Sequence, residues 1–111
     1  MDKYDLLKRI NLLEYHQSLL LKLLSNPKLD FYRLIIEKGI TEEEVKGFLR
    51  TCDELSMKVL DQKAEGFVYF YPLFSEFLVS LPVNLQVEEV IPACITQHIF
   101  ESLMLEFEKY I

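Results

Sequence analysis

The residues with the best spacing for chemistry are Cys94 and His98, four apart, so that a continuous helix would set both on one face with Glu101 a further turn along. A thiolate, an imidazole and a carboxylate in that order could ligate zinc, but a protein zinc site takes three or four ligands. The only other histidine, His16, lies near the start of the chain with no second ligand close by. Cys94 also falls on an apolar stripe with Val90, Ile91 and Ile95, where a cysteine acts as a small hydrophobe. Cys52 as a nucleophile would need a nearby base, and Asp53 and Glu54 beside it would hold the thiol protonated instead of activating it. The carboxylates Glu42, Glu43, Glu44, Asp53 and Glu54 could serve as acid, base or hard-metal ligands. A helix start and a solvated helix face account for them equally well. Gly39, Gly47 and Gly66 stand alone, so no glycine-rich phosphate loop is present. No catalytic, cofactor-binding or metal site is expected, and the chain reads as non-enzymatic.

The elements that would position these groups read as helices throughout. The clearest runs from Thr41 to Gly66. Thr41 and Glu44 have capping-box spacing, with Glu42 and Glu43 adding charge at the positive end of the helix dipole. Val45, Phe48, Leu49, Cys52, Leu55 and Val59 recur every three or four residues as one buried face. Gly66 can close the helix in the left-handed conformation. Glu42 with Lys46 and Glu54 with Lys58 are i,i+4 pairs worth about 0.2–0.5 kcal/mol each.

A first helix is expected from Asp2 to about Leu24, stopped by Ser25, Asn26 and Pro27. Within it Leu6, Ile10, Leu13, Gln17, Leu20 and Leu24 fall alternately four and three apart, the spacing of a coiled-coil seam. Leu7, Leu12, Leu19, Leu21 and Leu23 lie off that seam. One stripe is therefore expected to pack on the chain's own body and the other to meet a second subunit, with Gln17 setting register as the one polar residue in the seam. A short helix starts at Asn26 or Asp30 and ends at Gly39, with Ile40 folding back toward Ile35. Phe67 to Tyr71 reads as an extended linker. Pro72 opens a helix with Leu73, Phe74, Phe77, Leu78 and Leu81, ended by Pro82. Another starts near Val87, where Gln86 and Glu89 have weak capping-box spacing, and Pro92 is expected to kink it or delay its start. Phe100, Leu103, Met104, Phe107 and Ile111 form a last stripe.

These readings give an all-α domain over 1–111 with about five helices, divided into an N-terminal oligomerisation helix (1–25) and a helical body (26–111). The 111 residues are 50% hydrophobic, with a formal charge of −6. This surplus of apolar side chains in a small chain favours self-association. Neither sign of charge forms a block, which argues against nucleic-acid binding and against attraction to anionic lipid. The longest uncharged runs fall short of the ~18 residues of a membrane span. The opening residues lack the features of a signal peptide, and a cytoplasmic location is expected. Cys52 and Cys94 fit buried reduced thiols there, although one disulfide between them stays open.

The run Cys52, Asp53, Glu54, Leu55, then Gln62 through Val68, with Phe31, Tyr32 and Gly39 before it and Leu103, Met104 after it, resembles the YhaI-like family. These are small uncharacterised proteins of Gram-positive spore-forming bacteria. The resemblance covers nearly the whole chain and is weakest over the first 25 residues. It implies an all-helical fold and a cytoplasmic location, and brings no known activity, cofactor or catalytic residue. The chain departs from the family's pattern at Tyr71, where the family has an acidic helix cap, and at His98, where it has a glycine.

The expected role is a homo-oligomer, dimer to tetramer, acting as a structural or protein-interaction module that could also take another protein as partner. The alternative is a small apolar ligand or lipid binding module using segment 67–77, where Phe67, Tyr69, Phe70, Tyr71 and Phe74 would form the surface.

Overall fold

The computed structural model describes residues 2–111, and every regular element among them is a helix. There are six: α1 (Lys3–Ser25), α2 (Asp30–Glu37), α3 (Glu42–Ala64), α4 (Tyr71–Ser80), α5 (Val87–Thr96) and α6 (Glu101–Glu108). The expectation of about five is corrected by a break between Thr96 and Glu101. There the Ile99 amide bonds the Cys94 carbonyl at 2.8 Å and the His98 amide bonds that of Ile95 at 3.1 Å, the two bonds of a Schellman ending. His98 and then Phe100 take positive φ, 61° and 46°. Two left-handed residues within three positions stop the helix and restart it on a new axis.

The other boundaries follow local chemistry. Asp2 caps α1 by accepting from the Asp5 amide at 2.8 Å. The α3 capping box is complete: the Glu44 amide donates to Thr41 Oγ1 and the Thr41 amide to Glu44 Oε1, both at 3.1 Å. Gly39 and Gly66 hold φ of 66° and 95° just past α2 and α3, and the Ile40 amide closes back on the Ile35 carbonyl at 3.0 Å. Gln86 makes no side-chain cap bond, and α5 starts at Val87 with Pro92 inside it. Pro92 itself is exposed, while Val90, Ile91 and Cys94 bury the other side of the helix.

The core is built on a file of rings. Phe31 stacks on Phe48 at 5.4 Å, Phe48 meets Phe77 at 5.9 Å, and Phe77 meets Phe107 at 5.2 Å. Aromatic pairs at these separations contribute about 0.5–1.5 kcal/mol each beyond their buried area. The file ties together α2, α3, α4 and α6, and Ile35, Cys52, Ile91, Cys94 and Met104 fill the space around it. Val45, Phe48, Cys52, Leu55 and Val59 of α3 are all buried, as their spacing predicts, and Leu49 at the edge of the stripe is half-buried. Glu42 pairs with Lys46 at 3.6 Å, whereas Lys58 reaches Glu76 on α4 at 3.1 Å in place of Glu54. No helix among the described residues is long and apolar enough to cross a membrane.

Candidate functional site

Helix α1 carries two apolar stripes, and they meet different surroundings. Leu19 is buried, with Leu12, Tyr15, His16 and Leu23 half-buried beside it. This stripe docks on α2 and on the turn into α3. The His16 Nε2–H donates to the Ile40 carbonyl at 2.8 Å, and Lys22 Nζ lies 5.4 Å from the centre of the Tyr32 ring. Burial, with Glu42 and then Tyr32 adding to it, pushes the Tyr15 hydroxyl up to about 12, so it stays protonated at any physiological pH. The second stripe is the one with coiled-coil spacing. Leu6, Ile10, Leu13, Gln17, Leu20 and Leu24 are all exposed, with Leu13 at 68% and Leu24 at 82%. At 100° per residue the seam is centred about a third of a turn from the docked stripe. Leu7 and Leu21, also exposed, flank the seam on one side and widen the apolar face to roughly 140°. Pattern reading placed both leucines off the seam, although each directly follows a seam leucine and so marks the broader face in the sequence.

The aromatic segment divides in two. Phe67, Tyr69 and Tyr71 are exposed. Phe70 and Phe74, expected in the same surface, are instead core residues at 1% and 3% exposure. The reason is α4: its first turn directs Phe74 onto Phe107 at 5.5 Å, and Phe70 as its N-cap turns inward with it. Tyr110 organises the rest. Its hydroxyl accepts from the Phe70 amide at 2.9 Å, and its ring stands edge-on to Tyr69 at 6.0 Å and to Tyr71 at 5.7 Å. The predicted last stripe leaves out Tyr110, which lies two residues past the end of α6. A tyrosine three residues after the buried Phe107 was the available signal.

A family model described as Protein of unknown function (DUF1878) matches residues 3–111. The chain belongs to this family. The DUF1878 match takes in both surfaces and all six helices, and the family brings no biochemical role to either surface.

In this DUF1878 chain the chemistry-bearing residues are held apart. The break after α5 removes Cys94 and His98 from a common helix. His98 points outward to Glu101 at 2.9 Å, while Cys94 is fully buried. Among the described residues no three His, Cys, Asp or Glu side chains gather as metal ligands would. Burial pushes the Cys52 thiol up to about 12, and burial followed by the nearness of Cys52 raises that of Cys94. Both are free thiols and neither is a thiolate at neutral pH. Glu42, Glu43, Glu44, Asp53 and Glu54 are exposed. Three grooves of roughly 240 to 440 Å³ mark the surface, along α3, between α2 and α5, and beside the turn from α4 into α5. The residues lining these three grooves come from other parts of the chain than segment 67–77.

Proposed function

We propose that this protein is a non-enzymatic, cytoplasmic interaction module of the YhaI-like kind, whose subunits join through the exposed leucine face of α1 as a dimer, trimer or tetramer. The observation that carries the reading is the exposure of all six seam positions on a helix whose other stripe is already docked. Five of the six are apolar, and full burial of each is worth up to about 1.5–3 kcal/mol. Ten such side chains across a pair of subunits are enough to offset an association cost of roughly 4–15 kcal/mol. The partner is taken to be another copy because the same face is present on every copy, and a closed ring of copies covers all of it.

The test is absolute molar mass by light scattering over a dilution series, on the wild type and on a Leu13→Glu, Leu20→Glu double variant. The wild type is expected at two to four times 13.2 kDa and the variant at 13.2 kDa, with the helical signal of the body retained. A folded variant of unchanged mass would show that the subunits do not join through α1.

A further inference from the structure

We infer that the α1 helices of neighbouring subunits run parallel and in register, an orientation set by Gln17 and by an ion pair between Arg9 and Glu14 of the partner subunit. This rests on the reading of α1 as the assembly helix. In heptad terms Leu6, Leu13 and Leu20 occupy the d positions of the seam and Ile10, Gln17 and Leu24 the a positions. In an antiparallel pair every a residue faces a d residue of its neighbour. All three d residues are leucine, so each antiparallel register buries the Gln17 amide against leucine with nothing to bond. Burying an amide without a hydrogen-bond partner is unfavourable in proteins, and here the loss falls once on each subunit. In the parallel, in-register arrangement each seam residue meets its own copy. The amide offers both donor and acceptor, so Gln17 and its copies satisfy one another.

The flanks point the same way. The residues following the d positions are Leu7, Glu14 and Leu21, and those preceding the a positions are Arg9, His16 and Leu23. Only two of the six are formally charged at pH 7, and their signs are opposite. Parallel helices bring each g residue beside the e residue five further along the neighbour, which sets Arg9 beside Glu14 of the partner subunit. Antiparallel helices instead bring the e flanks together, so Glu14 meets its own copy in the fully overlapping register or a leucine one heptad away, and never Arg9. Both Arg9 and Glu14 are exposed. The same offset puts Leu21 of the partner subunit beside His16, the edge of α1 that is docked on Ile40. The neighbour's exposed leucine is thus covered by continuing an existing contact.

Orientation is read by cross-linking with a short bis-maleimide. Cys52 and Cys94 are fully buried, so the wild type serves as the unreactive control. A Leu6→Cys variant alone is expected to give a covalent dimer, while Leu6→Cys mixed with Leu24→Cys gives no product containing both variants. A product formed only in the mixture would establish antiparallel helices and overturn the orientation, leaving α1 as the assembly helix. No product under either condition, together with a monomeric mass, would overturn the assembly reading itself. As a second measurement, Arg9→Glu and Glu14→Arg are each expected to raise the dissociation constant about two- to five-fold, and the combined swap to return it to within about twofold of wild type. A combined swap as weak as the single variants would remove the ion pair from the interface.

Discussion

His98 occupies a position that the backbone built for glycine. It is the first residue past the α5 cap, between the two Schellman bonds, with φ at 61°. A side chain in the left-handed region costs about 1–2 kcal/mol relative to its ordinary basins. Its partner does little to offset this, since the His98 ring is 76% exposed where it meets Glu101. His98→Gly is therefore expected to stabilise the protein by about 0.5–1 kcal/mol, after allowing for the extra freedom glycine brings to the unfolded chain. Urea unfolding should show a higher midpoint at unchanged slope, and a lower midpoint would mean the imidazole holds the turn. This residue also marks a limit of what could be read from sequence. Gly39 and Gly66 advertise left-handed turns because only glycine enters them freely, and both were legible. A histidine or phenylalanine in the same conformation carries no such mark, so the break at 97–100, and with it the count of six, was hidden although the stripe of α6 itself was legible.

At the scale of elements, legibility followed how local the determining interaction is. The α3 boundary is set by two side chains three residues apart. Thr41→Ala is expected to cost about 1 kcal/mol, read as a fall in melting temperature, because it leaves the Glu44 amide without its acceptor. Glu44→Ala removes the reciprocal bond, and the double variant should lose less than the sum of the two, since they share one box. Additive losses would show the two bonds to be independent. The choice between the two leucine stripes of α1 is not local. Both stripes are apolar and both have helical spacing, and the body-facing one is selected by groups distant in sequence: the Ile40 carbonyl for His16 and the ring of Tyr32 for Lys22. The aromatic segment failed for a related reason. Six Phe and Tyr residues between 67 and 77 look alike in sequence, and contacts from distant parts of the chain sort the buried from the exposed: Phe107 of α6, Tyr110 just beyond it, and Phe48 of α3.

The whole molecule is longer than its size requires. Its radius of gyration is 15.7 Å, against about 13 Å for a compact chain of this length, and its long axis is 53 Å. Part of the excess lies in the first three turns of α1, where every residue from 2 to 11 is exposed, including Leu6, Leu7 and Ile10. A stretch that short has little helical stability of its own, because isolated helices below ~12–15 residues are marginal in water. Propagation from the docked half, together with the Asp2 cap, adds one bond per residue but buries no side chain. If neighbouring α1 helices cover the seam, the free energy of assembly supplies what the body does not, and the order of 2–11 depends on association. The expected outcome in hydrogen exchange is strong protection of amides 6–13 in the wild-type assembly and rapid exchange there in the Leu13→Glu, Leu20→Glu protein. Amides of α3, whose stripe is buried within one subunit, should exchange equally slowly in both. Equal protection of 6–13 in a monomeric variant would show that α1 stands without a neighbour, and its exposed leucines would then need another explanation than assembly.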